Sequence, residues 1–269
     1  MNKKRFLGIA LVIAIFIGLA ITIIYIFTEL KDETDIQLQK SEITDAIKFK
    51  NEYEALNNTE VSENVLYRTV TIDDNNPIKY VKASDIVSKM DNKETFVVYF
   101  GFDSCPWCRL IIEQLISSAK EHNISTVYYI DIKNIRDKYE LDSTNHTAVR
   151  IVEGTEGYYQ LLNRFNKVLD DYQPLTYTET KKVKGKKKTV TNTVKVEEKR
   201  IYAPNVVLVN KGEPTILTTG INSKVTNPYV EPTDAEKEYT KNEFDKIFSV
   251  ISDKTTTTSS YVCDEKGNC

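Results

Sequence analysis

The hydrophobic residues of this chain fall into one long run near the N-terminus and, further on, into short runs separated by charged segments. The long run, Phe6 to Phe27, contains no charged residue, and about 20 apolar residues in a helix span the hydrocarbon core of a bilayer. Basic residues precede this run and acidic residues follow it, which places the N-terminus in the cytoplasm by the positive-inside rule. The sequence therefore predicts a cytoplasmic N-terminus over residues 1–5, a transmembrane anchor over 6–28 and an extracytoplasmic remainder.

A cleaved signal peptide is the alternative interpretation of the same run. The apolar stretch is longer than the usual signal-peptide core of ~7–15 residues, and no small-residue cleavage motif follows it. We therefore expect a single-pass protein of the cell membrane. Residues 29–64 are polar and have only weak helical periodicity, which is typical either of a solvated helical stalk or of a flexible linker.

Short strand-like and helix-like patterns alternate over residues 65–253, where we expect a single domain. Apolar, β-branched runs indicate strands and amphipathic runs indicate helices in the order β-α-β-α-β, then β-β-α after a long intervening stretch. The stretch, about residues 134–200, has helical spacing over 157–172 and alternates Thr and Val with Lys over 175–200. This order predicts an α/β fold with a central mixed sheet flanked by helices, carrying a helix-plus-β-hairpin insertion.

Two cysteines lie where one of these strands meets a helix. The sequence Cys105-Pro106-Trp107-Cys108 follows the apolar run over 95–101 and begins an amphipathic helical pattern. A cysteine in the first helical turn faces unpaired backbone N–H groups and the positive end of the helix dipole, which stabilise the reactive thiolate. A redox dithiol is therefore the favoured interpretation, and a structural disulfide or a metal site is the alternative.

The remaining cysteines, Cys263 and Cys269, lie in a C-terminal tail over residues 254–269. With all four cysteines predicted outside the cytosol, this pair is a possible second disulfide, either a local staple or a mobile dithiol. Net charge is −3, which gives no reason to expect a nucleic-acid partner. The two histidines, His122 and His146, have no metal-ligand pattern around them, so we expect no metal and no cofactor.

Three features of the later sequence carry a family resemblance. They are the dithiol after a buried strand, the pair Ala203-Pro204 opening a strand, and Lys211-Gly212-Glu213 in the following turn. On these features, over about residues 78–133 and 201–252, the chain resembles a membrane-anchored member of the thioredoxin superfamily. More narrowly, it is similar to thioredoxin-like accessory proteins and disulfide isomerases found near bacteriocin genes in low-GC Gram-positive bacteria.

The resemblance implies a thioredoxin fold and a role for each residue of the motif. By that match Cys105 is the exposed nucleophile, Cys108 is the resolving thiol, and Pro106 and Trp107 tune the pair. Pro204 matches the family's cis-proline, with Ala203 exposed to pair with the client main chain. As a large apolar side chain beside the sulfurs, Trp107 is expected to contact the client, and shielding of Cys108 is the alternative. One departure is Tyr99, which occupies the position where many thioredoxins bury an acidic residue.

The expected function is thiol–disulfide exchange on exported polypeptides outside the cytoplasm, catalysed as a thiol–disulfide oxidoreductase or isomerase. Its partners would be clients with thiols or disulfides, an unknown redox partner and, through the N-terminal helix, the membrane. A non-catalytic accessory module with structural cysteines is the alternative. A thiol-based metal carrier is disfavoured because histidine and methionine ligands are scarce.

Overall fold

The computed structural model describes residues 18–28, 43–183 and 186–256, and the chain divides into two units, Met1–Thr44 and Asp45–Cys269. Residues 18–28 are helical (α1). Among the described residues, no helix has the length and apolar character needed to cross a membrane. The predicted anchor over 6–28 lies only partly within the described residues, and Cys263 and Cys269 lie outside them.

The second unit contains five described helices and eleven strands. The helices are α2 (Asp45–Glu54), α3 (Ala83–Asp91), α4 (Pro106–Glu121), α5 (Glu156–Phe165) and α6 (Asp234–Thr256). The strands before the long intervening stretch are β1 (Glu60–Ser62), β2 (Val65–Leu66), β3 (Ile78–Tyr80), β4 (Phe96–Gly101) and β5 (Val127–Asp131). Those that follow are β6 (Lys138–Asp142), β7 (Thr147–Val152), β8 (Leu175–Val183), β9 (Lys186–Val194), β10 (Asn205–Asn210) and β11 (Glu213–Thr218).

A five-stranded mixed sheet forms the centre of this unit, in the order β11-β10-β4-β5-β3. Strands β3, β4 and β5 are parallel, whereas β10 runs antiparallel to both β4 and β11. The prediction of a central mixed sheet flanked by helices is confirmed. In the register Asn205↔Phe100, the start of β10 lies opposite the end of β4, so the segment before β10 reaches the end of β4 that precedes the two cysteines.

Side chains alternate between the two faces of the sheet along each strand, and each face packs against helices. On one face, Val97 and Tyr99 of β4 pack against α2, α4 and α6. On the other, Phe96, Val98 and Phe100 pack against α3 and α5. We call these the dithiol face and the apolar face, respectively. Strand β4 is buried on both sides, which explains its nearly continuous run of apolar and aromatic residues.

The globular unit begins earlier than the predicted start at Val65. Phe49 and Tyr53 of α2 are fully buried in the dithiol face, although α2 falls within the predicted stalk over 29–64. Only two α2 side chains make this contact, so the periodicity of the polar segment was too weak to indicate it. Arg109, one residue after the dithiol, stabilises the docking by donating a 2.7 Å hydrogen bond to the backbone carbonyl of Tyr53.

The intervening stretch contains more regular structure than its sequence predicts. Helix α5 and the hairpin β8–β9 confirm the expected helix and hairpin, but a second hairpin, β6–β7, precedes them. Both of its strands are largely exposed, so no buried alternation signals them. Helix α5 also covers the apolar face of the sheet through side chains that include Leu161 and Phe165, so it is part of the core.

Residues 67–72, where the alternating sequence predicts a short strand, form no strand in the described structure. Side chains take the place of a partner strand there, because the backbone N–H groups of Val70, Thr71 and Ile72 donate to Asn57, Glu113 and Glu54 at 2.8–3.0 Å. The segment is extended but joins no ladder, and it packs beside α2 and α4. This arrangement satisfies the buried backbone groups without a sheet.

Candidate functional site

The two cysteines lie at the junction of β4 and α4. Cys105 is the N-cap residue of α4, and Pro106 occupies the first helical position, where its missing N–H costs no intrahelical bond. The Cys105 sulfur accepts a hydrogen bond from the backbone N–H of Cys108 at 3.3 Å. The sulfur therefore performs the capping role that an oxygen usually performs, and it lies against the electropositive end of the helix.

The environment separates the acidities of the two thiols. A hydrogen bond from the Cys108 side chain, backbone N–H groups of Cys108 and Trp107, and the positive charge of Arg136 lower the pKa of Cys105, and these effects outweigh its burial. Burial raises the pKa of Cys108 well above its ordinary value. In the reduced protein Cys105 is therefore the thiol that ionises first, and Cys108 remains protonated.

Cys105 is only 4% exposed and Cys108 is fully buried. The expectation that the first cysteine is exposed is therefore wrong for this structure. Its sulfur lies beneath the segment before β10, where it donates to the backbone carbonyl of Ala203 at 3.4 Å. A client disulfide therefore has to reach a sulfur that is almost completely covered.

The Ala203–Pro204 peptide bond is cis, as the sequence analysis predicts. Pro204 is buried directly before β10, while Ala203 is half-buried and faces the dithiol. The described part of the chain provides no hydrogen-bond acceptor for the N–H of Ala203. The structure thus brings four residues together at the end of the sheet where β4 ends and β10 begins: Cys105, Cys108, Ala203 and Pro204.

A groove of about 630 Å³ opens beside this cluster. Trp107, Tyr202, Ala203 and Pro204 form an apolar and aromatic part of its wall. Exposed polar and charged side chains, including Asp170 from the segment after α5, complete it. The groove is open rather than enclosed, which suits a polypeptide better than a small molecule.

Two arginines near the dithiol were not identified from the sequence. Arg109 is fully buried, and besides Tyr53 it donates to the backbone carbonyl of Arg68 at 2.8 Å and to the side chain of Asn57. Its position among the apolar residues of α4 was a usable signal, because a charge on the buried face of a helix requires partners. Arg136 lies in the segment between β5 and β6, which no motif marks.

Tyrosines surround Cys108 on the dithiol face. Tyr53 and Tyr99 pack in the same buried cluster as Cys108, and the hydroxyls of Tyr99 and Tyr53 are 2.9 Å apart. The acidic residue Glu113 on α4 accepts from the backbone N–H of Thr71 and from Arg68. Asp103 accepts from the backbone N–H of Ser104.

Within the described residues, no group of three or more histidine, cysteine, aspartate or glutamate side chains is arranged to hold a metal ion. Comparison of the chain with protein-family models, with curated proteins and with solved structures gives no significant match.

Proposed function

We propose that this protein is a thiol–disulfide oxidoreductase of the thioredoxin type that acts on polypeptide clients. The order β3-α3-β4-α4-β5 followed by β10-β11-α6, with the dithiol after β4 and a cis-proline before β10, supports a thioredoxin fold. The observation that carries the proposal is the capping of α4 by the Cys105 sulfur, because a helix N-terminus selectively stabilises the thiolate.

The exchange takes place in two steps. The Cys105 thiolate attacks one sulfur of a client disulfide, so that a Cys105–client disulfide forms and the other client sulfur leaves as a thiolate. Cys108 then loses its proton and attacks the Cys105 sulfur, which forms the Cys105–Cys108 disulfide and releases the second client thiolate. The client is reduced and the protein is oxidised by two electrons. The reverse sequence oxidises a client dithiol.

The groove supports a polypeptide as the client. The unpaired N–H of Ala203 lies beside the nucleophile and suits main-chain pairing with an extended segment, as in strand addition. Trp107 and Tyr202 offer apolar surface next to it. Pro106 fixes the backbone at the first helical position, directly before Trp107, which lines the groove.

An extracytoplasmic location belongs to the same proposal. The uncharged run over 6–28 would anchor the protein in the cell membrane with residues 1–5 in the cytoplasm. Exported polypeptides would then be the clients, and a separate protein or small thiol would restore the redox state of the dithiol. In this compartment, a disulfide between Cys263 and Cys269 is expected to persist.

The burial of both cysteines favours a second candidate, a non-catalytic module in which the pair forms a structural disulfide. The two candidates differ in reduction potential, and Trp107 between the cysteines provides a fluorescence signal for measuring it. Titration against glutathione is expected to give a potential above about −300 mV for an exchange protein. A lower potential would favour the structural module.

Trapping tests the exchange function directly. Cys108→Ser removes the resolving thiol, so Cys105 is expected to accumulate as disulfides with client proteins in the native host. Cys105→Ser is the matched control and should trap none. If the Cys108→Ser protein is produced and folded but forms no mixed disulfides, the exchange function is wrong.

A further inference from the structure

The hairpin β8–β9 carries the strongest concentration of positive charge in the sequence. Residues 175–194 contain six lysines and one acidic residue, Glu179, whereas the whole chain has a net charge of −3. Five of these lysines lie in the described strands, close to the turn of the hairpin: Lys181, Lys182, Lys186, Lys187 and Lys188. We call these five residues the lysine tip.

The lysine tip is accessible, although the base of the hairpin is attached to the rest of the domain. Strands β8 and β9 form a sheet of their own, and no other described strand joins it. Near the base, the ring of Tyr177 stacks on His146 in the β6–β7 turn, with the ring centroids 4.0 Å apart. All five residues of the lysine tip are exposed to solvent.

Most of the charge of the lysine tip has no counterion within the described residues. Lys181 forms an ion pair with Glu179 at 2.7 Å, and the other four lysines pair with no described acidic side chain. The register places Lys181 opposite Lys188 and Lys182 opposite Lys187. Like charges in direct cross-strand pairs destabilise a hairpin, and an isolated two-stranded hairpin is only marginally stable in water. An anionic partner would relieve this repulsion.

The arrangement of the lysines favours a flat anionic partner. Lys182 and Lys187 lie on one face of the hairpin, and the other three lysines lie on the opposite face, because side chains alternate along each strand. A linear polyanion that lies along one face would meet only part of this charge. A planar layer of anionic groups that meets the end of the hairpin can attract lysines of both faces, because their side chains are long and flexible.

We propose that the lysine tip is a docking site for a membrane surface that contains anionic phospholipids. This proposal rests on the membrane location within the proposed function and adds a contact beyond the N-terminal run. The negative surface potential of such a membrane attracts clusters of basic residues, and salt screens the attraction. Docking would hold the domain, and with it the dithiol, close to the surface across which exported clients pass.

The experiment measures the protection of individual lysines in the full-length chain. The chain is placed in lipid nanodiscs made of phosphatidylcholine alone or with about 30% phosphatidylglycerol. A short pulse of N-hydroxysuccinimidyl acetate acetylates exposed lysines, and mass spectrometry gives the rate at each position. The lysine tip should react at least about threefold more slowly in the anionic discs, and about 0.5 M salt should abolish the difference.

Lys79 and Lys224 are the internal controls. Both are exposed, and neither forms an ion pair with a described residue. Their labelling rates should be alike in the two kinds of disc. Equal slowing of these two lysines and of the lysine tip would mean that no particular part of the domain faces the lipid, and it would overturn the proposal.

A charge-removing variant tests the same contact. Lys182→Gln/Lys186→Gln/Lys187→Gln should reduce the protection of Lys181 and Lys188 in anionic discs by at least about half. Lys182→Arg/Lys186→Arg/Lys187→Arg is the matched control, and it should keep the protection because it retains the charge. Both variants should fold, since the three substituted positions are exposed. Equal protection in the two variants would overturn the role of the charge.

Soluble polyglutamate, added to the chain in neutral discs, separates a lipid surface from an acidic polypeptide as the partner. Protection of the lysine tip by polyglutamate, with none by phosphatidylglycerol, would assign an acidic polypeptide and overturn the proposal. Labelling of the lysine tip that is unchanged under every condition would overturn it as well.

Failure of the docking site is distinguishable from failure of the proposed function. Lysine labelling does not involve the thiols, so the exchange function stands or falls by trapping alone. If the chain does not stay with neutral discs, the N-terminal run is not an anchor. Binding of that chain to anionic discs with protection of the lysine tip would still support docking, and no binding would overturn it.

Discussion

The two faces of the central sheet are both covered by helices, but they are built from different chemistry. The apolar face joins Phe96, Val98 and Phe100 to α3 and α5 almost entirely through hydrocarbon. The dithiol face instead contains tyrosine hydroxyls, two thiols and the guanidinium of Arg109 within its hydrophobic packing. Arg109 and the hydroxyls of Tyr53 and Tyr99 have hydrogen-bond partners there, so this face combines tight packing with polar groups near the two sulfurs.

The comparison separates residues that only stabilise the fold from residues that also tune the thiols. A substitution on the apolar face should change the free energy of unfolding without changing thiol chemistry in the folded protein. A substitution among the hydroxyls, thiols and arginines of the dithiol face should change both the free energy of unfolding and the thiol chemistry. Four predictions test this division.

Phe165→Ala on the apolar face should have the largest effect. Phe165 is fully buried and contacts the ring of Phe100 edge-on, with centroids 5.4 Å apart. Its removal should lower the free energy of unfolding by about 3–5 kcal/mol, measured by urea denaturation. The alkylation rate of Cys105 in the folded fraction should remain that of the wild type. A changed rate would mean that the two faces are not chemically separate.

Tyr53→Phe and Tyr158→Phe form a matched pair across the sheet. Tyr53→Phe removes a partner of the Tyr99 hydroxyl and should destabilise the protein by about 1–2 kcal/mol. Tyr158→Phe removes a buried hydroxyl without a partner in the described structure and should be neutral or slightly stabilising. Equal losses of stability in the two variants would contradict the assigned hydroxyl network.

Arg136→Gln should weaken the nucleophile without unfolding the protein. Arg136 lies over the ring of Phe102 at 5.2 Å, and its positive charge contributes to lowering the pKa of Cys105. Loss of this charge should raise that pKa and so reduce the thiolate fraction and the alkylation rate at neutral pH. Arg136→Lys should restore most of the reactivity because the charge is retained. The pH dependence of Cys105 alkylation measures both, and an unchanged Gln variant would exclude the charge effect.

The smallest predicted effect is a pH dependence of stability that comes from Cys105. Because the folded pKa of Cys105 is lowered relative to the unfolded value, the folded state binds fewer protons between the two values. Its stabilising contribution is complete above the unfolded pKa and is lost as the pH falls through the folded pKa. Cys108→Ser should therefore gain stability relative to Cys105→Ser/Cys108→Ser as the pH rises through this window. A constant difference would contradict the lowered pKa.

The sequence predicted the central sheet well because its strands are buried on both sides and strongly apolar. It also brought Cys105, Cys108, Ala203 and Pro204 to one site through motifs that lie far apart in the chain. It did not reveal the β6–β7 hairpin, whose side chains are mostly exposed and so have no buried alternation. Local sequence patterns indicate elements that have a buried face, and they give no signal for an element without one.

Neither the position of Arg136 nor the burial of Cys105 could be predicted from the sequence, for a different reason. Both depend on how the segment after β5 and the segment before β10 fold over the end of β4, which are contacts between residues far apart in the chain. Arg109 and Tyr99, in contrast, carried a local signal, since each is a polar residue within a buried apolar pattern. Such residues require partners, and here the partners are the backbone carbonyls and hydroxyls around the dithiol.

The central claim is that Cys105 is a reactive thiolate although only 4% of its surface is exposed. The most direct test is the rate of iodoacetamide labelling of the reduced native protein as a function of pH, resolved by mass spectrometry at Cys105 and Cys108. The account predicts selective labelling of Cys105 at pH 7, with a midpoint below the ~8.5 of an ordinary thiol. Labelling of Cys105 only after denaturation, or only at alkaline pH, would contradict it.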